Sequence, residues 1–191
     1  MDSHPKLIIV GGSIATGKTT VSKFVAEKTG FVRIALDEIK EALFDVGGYK
    51  DRAWSKEIGA ATHPVFRQLI QMYLARGESV IADATFIWAD DRIWLQEFSE
   101  RHNAELIQIW MTAEPHVARK RFLERSLTTR HPGHCDSIET VLGEFDERYF
   151  SKRIEPLLAD VRTHIVDTTD YDAIDLDSII FFLCQKLNAS L

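Results

Sequence analysis

The sequence predicts a three-layer α/β/α domain built on a five-stranded parallel sheet. Two observations carry this. Short apolar runs of strand type alternate along the chain with stretches of helical period, the signature of a parallel sheet covered on both faces. The first apolar run, Leu7–Val10, leads straight into the glycine loop Gly12-Ser13-Ile14-Ala15-Thr16-Gly17-Lys18-Thr19, which opens a helix.

In chain order, Leu7–Val10 reads as a buried first strand and Gly17 to Lys28 as the first helix, ended by Thr29-Gly30. Phe31–Ala35 is a short second strand. Asp37 stands where a helix N-cap is expected, ahead of Glu38–Phe44, and Gly47-Gly48 breaks that pattern. Asp51 to Arg76 reads as a long helix interrupted or bent near Pro64, and Gly77 closes it. Ser79–Ala82 is a strand ending in Asp83, Ala89–His102 an amphipathic helix and Ala104–Met111 a strand. Glu114–Arg125 is a charged helix with Pro115 in its first turn. Ser126–Asp136, with Pro132 and Gly133, reads as a mobile loop. Ile138–Leu158 is expected to be helical, His164–Val166 to be the last strand and Ala173–Leu187 the closing helix.

At 191 residues the chain is read as a single domain, 1–191. Its 45% hydrophobic and 27% charged content is ordinary for a globular protein. A net charge of −6 gives no general attraction to a nucleic-acid backbone, although a local basic groove stays open as an alternative. The polar N-terminus and the brevity of Leu7–Val10 point away from a signal peptide or a membrane span, so a cytoplasmic location is expected. The two cysteines, Cys135 and Cys184, lack ligand spacing and read as reduced thiols. His131, His134 and Cys135 lack a fourth partner for zinc.

The loop Gly12-x4-Gly17-Lys18-Thr19 is where the chemistry begins. Its glycines allow the turns that aim backbone N–H groups at a phosphate, and the helix behind it adds its positive dipole end. Gly12, Ser13, Ala15, Thr16, Gly17 and Thr20 are candidate contacts to a nucleoside triphosphate, most simply ATP. Lys18 would place a charge on the β- and γ-phosphates, and the Thr19 hydroxyl would ligate Mg²⁺. No Asn-Lys-x-Asp guanine signature occurs, and Asp83 is followed by Ala84-Thr85 rather than by Glu. A small phosphotransferase on the P-loop NTPase fold, closed by a helical lid at about 119–137, is the class left.

Three groups of residues complete the expected site. Asp37, 19 residues beyond Lys18 at a strand end, is a candidate base for an attacking hydroxyl, or merely a helix cap. Asp83, at the end of the next strand, would support Mg²⁺ or only start a turn. Arg125 and Arg130, within the cluster Arg119, Arg121, Arg125 and Arg130, would close over the γ-phosphate. The acceptor is expected beneath residues 44–76, which supply Tyr49, Arg52, Trp54, His63 and Arg67.

Taken with Gly30-Phe31, Asp37-Glu38-Ile39-Lys40 and the run Gly77 to Phe86, these features resemble the small AAA-type kinases related to polynucleotide 5′-kinases, chloramphenicol phosphotransferase and zeta-toxin kinases. The likeness spans Leu7 to about Asp170. It implies Asp37 as general base, Lys40 as a basic substrate contact, and Arg130-His131-Pro132-Gly133-His134 as lid. The segment Val166-Asp167-Thr168-Thr169 would lie near adenine, which makes Thr168 a nucleotide contact. The leading expectation is transfer to a small-molecule or nucleotide-like hydroxyl. A nucleic-acid 5′-end and a non-catalytic, ATP-ordered switch remain as alternatives, and the sequence does not set the oligomeric state.

Overall fold

The computed structural model describes residues 4–136, 143 and 155–185. Five parallel strands form one sheet: β1 (Lys6–Gly12), β2 (Val32–Ala35), β3 (Val80–Asp83), β4 (Glu105–Thr112) and β5 (Arg162–Asp167), in the order β2-β3-β1-β4-β5. Six α-helices are described: α1 (Lys18–Thr29), α2 (Leu36–Gly47), α3 (Arg52–Leu74), α4 (Ala89–His102), α5 (Pro115–Thr128) and α6 (Leu176–Cys184). A 3-10 turn covers Pro132–His134.

Side-chain alternation assigns each strand residue to a face. Leu7 and Ile9 pack with Phe66, Ile70 and Leu74 of α3 and with Trp94, Leu95 and Phe98 of α4. Ile8 and Val10 pack the other way, against Val21 and Val25 of α1 and Ile179 and Leu183 of α6. The helix leaving β1 therefore covers one face and the helix leaving β3 the other. A crevice opens where their strands end, the ligand position of an open parallel sheet.

The same alternation sets two charged groups. Val32 and Ile34 of β2 pack against the α3–α4 core, so Arg33 between them faces α1. Ile81 of β3 belongs to the α1 side, and Asp83, two residues on, shares that side.

Several boundaries differ from the sequence expectation. Asp37 is not the cap of α2. β2 runs into the helix without a loop, Ala35 is the cap residue, and Asp37 falls in the first turn. α3 passes through Pro64 without ending there, and Asp51 caps it by accepting from Trp54 N at 2.9 Å. The expected mobile loop Ser126–Asp136 instead extends α5 by one turn and then docks. Gly133 lies so close to the Phe44 ring that an added Cβ would come within 2.4 Å of it, while His131 stacks on Phe44 with ring centres 5.6 Å apart. The helix expected over Ile138–Leu158 falls mostly outside the described residues. Gly143 is helical, but Glu155–Leu158 are not, consistent with Pro156 lacking an N–H to donate. The closing helix begins only at Leu176, because the Asp175 side chain accepts from Ser178 N and fixes its start there.

Candidate active site

The crevice between the β1 and β3 ends is a cleft of about 470 Å³. The glycine loop forms its floor. Three consecutive turns of that loop need left-handed backbone, at Gly12 (φ 116°), Ala15 (φ 58°) and Gly17 (φ 81°). Gly12 has a second constraint, since a Cβ there would sit 2.1 Å from the Met111 carbonyl of the neighbouring strand. The Thr16 hydroxyl donates to Ser13 O at 2.7 Å and stiffens the loop from within. The first turn of α1 then presents N–H groups that no helical carbonyl can reach.

Thr168 does not line this cleft. It is fully buried behind the loop, its hydroxyl 3.0 Å from Thr16 O and 2.9 Å from Thr112 O. It braces the loop rather than facing the nucleotide space. The residue of that segment that does line the cleft is Tyr171, whose hydroxyl lies against Gly17 and whose ring sits 4.1 Å beneath the Arg121 guanidinium. Arg121 also donates to Thr168 O and Thr169 O. An aromatic ring at that spacing gave no periodic or motif signal.

Lys18 folds over its own loop, donating to Ser13 O at 2.5 Å and to Gly12 O at 3.3 Å. Burial lowers its pKa to about 8; Asp83 and Asp37 oppose that shift, and Arg125 and Arg130 add to it. Its positive charge is thus poorly compensated in the free protein, and an anion among these groups would restore it.

Asp83 is almost fully buried. Ser22 Oγ donates to its Oδ2 at 2.6 Å and Arg33 Nη2 at 2.7 Å. Arg33 completes its fork on Glu38 at 2.8 Å and on Ser22 Oγ at 2.7 Å. Both recorded bonds to Asp83 use the same oxygen. The described residues contain no cluster of three His, Cys, Asp or Glu able to hold a metal alone. The donors present fit Mg²⁺ all the same, because Mg²⁺ takes few protein oxygens and keeps waters and phosphate oxygens as its other ligands. Thr19, which lines the cleft, and Asp83 are the residues that would hold it, directly or through water.

Asp37 meets the segment that follows α5. Arg130 Nη1 donates to Asp37 Oδ2 at 2.9 Å, while its Nε reaches Asp136 Oδ2 at 3.1 Å. Its Nη2 lies 2.9 Å from His134 Nδ1. Arginine can only donate, so Nδ1 of His134 is the acceptor and the ring proton sits on Nε2, which donates to Glu41 Oε1 at 3.0 Å. His134 is therefore neutral, and burial, reinforced by Arg130, holds its pKa near 3. Enclosure by the cleft walls alone would raise the Asp37 pKa, although more than half of its side-chain surface still meets solvent. The charge and hydrogen bond of Arg130, with Lys18 behind it, more than reverse this and keep the carboxyl well below the usual carboxylate range. The lid sequence is thus read out by α2 through Asp37, Glu41 and Phe44.

This predicts a pH effect. An acid whose folded pKa is depressed stays ionised until low pH, so activity that needs ionised Asp37 is lost only there. In Arg130→Gln the depressing charge is gone. The acid limb of kcat/KM should move to higher pH by roughly one unit or more, in the direction expected when an opposite charge is removed. A limb that stays in place, in a variant that still turns over, would show that Asp37 is not the titrating group.

Arg125 projects to the same cleft. Its Nε is buried without a hydrogen-bond partner among the described residues, and burial, with Arg130 nearby, lowers its pKa. The other expected contacts lie elsewhere. Lys40 donates to Ser55 Oγ at 3.2 Å and rests on Phe44. Arg52 binds Asp136 and the His134 carbonyl, both at 2.9 Å, and pins the lid turn to α3. Trp54 donates to Gly48 O at 3.0 Å under the Lys50 ammonium. Arg67 stacks on Trp94, with Nη2 3.9 Å from Asp91. The structure does not bring Lys40, Arg52, Trp54 or Arg67 into the cleft that holds Lys18 and Asp37.

Arg33, Ser22, Glu41, Asp136 and Tyr171 were not singled out from the sequence. A charged residue between apolar neighbours in β2 was the one available signal for Arg33. The others are set by contacts distant in sequence.

Similarity to known proteins agrees with this architecture. A protein of Chloroflexus aurantiacus j-10-fl, provisionally described as a kinase, is 32% identical over 95% of this chain and 97% of its own, with a TM-score of 0.86. A gluconokinase from Sinorhizobium meliloti 1021 (19% identity, 94% and 89% coverage, TM-score 0.54) shares the fold. So does a shikimate kinase from Bacteroides thetaiotaomicron (16% identity, 95% and 97% coverage, TM-score 0.51). No curated protein sequence matches the chain. The AAA domain family matches residues 7–151, most of the chain and every residue of the cleft except Tyr171. With the glycine loop, the 2-3-1-4-5 sheet and a relative matching 95% of its length, this chain belongs to the AAA domain family and has the fold of small P-loop kinases.

Proposed function

We propose that this protein transfers the γ-phosphate of ATP to the hydroxyl of a small acceptor. The observation that carries the reading is the pairing, across one cleft, of an under-compensated cationic set with a carboxylate. Burial lowers the pKa of both Lys18 and Arg125, Lys18 donates to loop carbonyls, the Arg125 Nε has no hydrogen-bond partner among the described residues, and Asp37 lines the same cleft.

In the step proposed, the acceptor oxygen forms a bond to the γ-phosphorus. The bond from that phosphorus to the β,γ-bridging oxygen breaks, ADP leaves with the electron pair, and the hydroxyl proton passes to Asp37. Lys18 would leave the Ser13 and Gly12 carbonyls for the β- and γ-phosphates. Arg125 and Arg130 would balance the charge on the transferring group. When bound, Mg²⁺ supplies charge neutralisation between the phosphates, next to Thr19 and Asp83. Asp37 is a weak base while Arg130 holds it. Drawing Arg130 onto the phosphates would restore its basicity at the moment of transfer, and a loose transition state asks little of the base before then.

A nucleic-acid acceptor is disfavoured by the same cations. Lys40, Arg52 and Arg67, which a strand backbone would need, each have a partner inside the fold. Among the described residues, no helix is long and apolar enough to cross a membrane. The test is transfer of label from γ-labelled ATP to a panel of small alcohols and to a 5′-hydroxyl oligonucleotide. Label on a small alcohol supports the reading. ATP binding with only slow, acceptor-independent hydrolysis would favour a nucleotide-ordered switch instead.

A further inference from the structure

A second cavity of about 190 Å³ adjoins the phosphate cleft, and Leu36, Ala84 and Thr85 form a wall common to both. It lies at the carboxyl ends of β2 and β3 and shares the wall residue Leu36, next in sequence to Asp37, with the phosphate cleft. By the share a water takes in the liquid, it has room for about six waters, which limits an occupant to a small molecule. Leu36, Phe66, Phe86, Ile87 and Trp88 give the cavity large apolar side chains, and His63, Thr85 and Asp91 face it as polar ones. Phe86 holds a left-handed backbone conformation (φ 52°), an outlier for a bulky residue. Packing against Phe66 and Trp94 keeps it there, with ring centres 6.3 Å away in each case.

The polar groups of the cavity are few and mutually cancelled. Asp91 is the one carboxylate in the lining. It accepts from Trp88 N at 3.2 Å and from Trp94 Nε1 at 3.0 Å, and Arg67 stands 3.9 Å away as its counter-charge. His63 faces Asp91, Arg67 and Lys40; burial, then Arg67 and Lys40, lower its pKa despite Asp91, so it is neutral at pH 7. A neutral imidazole offers one donor and one acceptor. An anionic acceptor would meet the Asp91 carboxylate, and the described lining residues include no lysine or arginine to receive it, so burying it there would be costly. A neutral molecule with a flat or apolar body would bury against the aromatic wall at no such cost.

We infer that this cavity is the acceptor subsite, and that it selects small, neutral alcohols with an apolar body, seating the hydroxyl toward Asp37 and the body among Phe66, Phe86 and Trp88. The inference rests on the phosphotransfer reading, and its test separates the two. Benzyl alcohol and its anionic counterpart 4-(hydroxymethyl)benzoate are titrated into the full chain with Mg²⁺ and a non-hydrolysable ATP analogue, read by calorimetry. The same pair is then offered with γ-labelled ATP.

Saturable binding of benzyl alcohol, at least ten-fold tighter than the benzoate, is the expected result. His63→Trp, which fills the cavity, should weaken it at least ten-fold and leave nucleotide affinity within about two-fold. Trp88→Ala, at a half-exposed position, should weaken it several-fold. No saturable binding to the wild-type chain, equal or tighter binding of the benzoate, or indifference to both substitutions overturns the subsite while leaving the kinase reading intact. Binding without label transfer to any alcohol overturns the phosphotransfer reading, and with it the cavity's role as acceptor site.

Discussion

Asp37→Asn should lower kcat for phosphate transfer by about 10²- to 10⁴-fold, the range for losing a positioned base, and leave the ATP dissociation constant within a few-fold of wild type. The isosteric amide keeps the volume and can still accept from Arg130, but it cannot take a proton. Arg130 retains Asp136 and His134, so the lid turn stays docked on α2 and the substitution is local. Asp37 is itself more than half exposed, and loss of an ion pair in that setting costs little stability. A merely structural role for Asp37 would show as a change in melting temperature and in KM. A base role shows as a fall in kcat and as disappearance of the acid limb of the pH profile. Turnover close to wild type in Asp37→Asn would remove the base assignment altogether.

How far this site could be read from the sequence depends on how local each part is. The glycine loop was legible because its turns, its lysine and its helix lie in one short run, and their geometry follows from residue type alone. Asp37 and Asp83 were legible as strand-end carboxylates, a position that parallel sheets reserve for ligands. Their partners were not. Arg33 lies 50 residues from Asp83 in sequence, and only the face assignment of β2 and β3 joins them. Thr168 illustrates the opposite error. The segment was placed correctly beside the loop, but alternation and burial turn its side chain into the fold, leaving Tyr171 at the cleft. Arg52 and Arg67 had the charge expected of substrate contacts. Yet a long cationic side chain lies wherever a carboxylate or a ring face is nearest, and here those were Asp136 and Trp94. Thr, Pro and Gly are turn formers, so by residue type Ser126–Asp136 is a mobile loop. What docks it is the fit of Gly133 and His131 against Phe44, which no local pattern reports.

Arg125 gives the second large effect, in which activity and stability should move in opposite directions. Its guanidinium sits in the cleft with Nε buried and unbonded among the described residues, next to two other cations, Lys18 and Arg130. Desolvation of these cations disfavours the free fold, and the nearby carboxylates offset it only in part, as the lowered pKa values of Lys18 and Arg125 both express. Arg125→Met keeps the aliphatic stem and its packing and removes the charge. In the absence of nucleotide its melting temperature should rise by roughly 2–4 °C, the equivalent of about 1 kcal/mol in a chain of this size. Transfer should fall by about 10³-fold or more, as when an arginine that stabilises a transferring phosphoryl group is lost. Saturating Mg·ATP should then invert the order of stability. The triphosphate brings anionic oxygens that the Arg125 guanidinium can bond, so it binds the wild type more tightly and stabilises it further than the variant. A variant that melts lower than wild type without ATP and transfers phosphate at the normal rate would mean that Arg125 serves the fold and not the phosphate. The inverted order would mark this arginine as a group whose desolvation is offset by binding a phosphate.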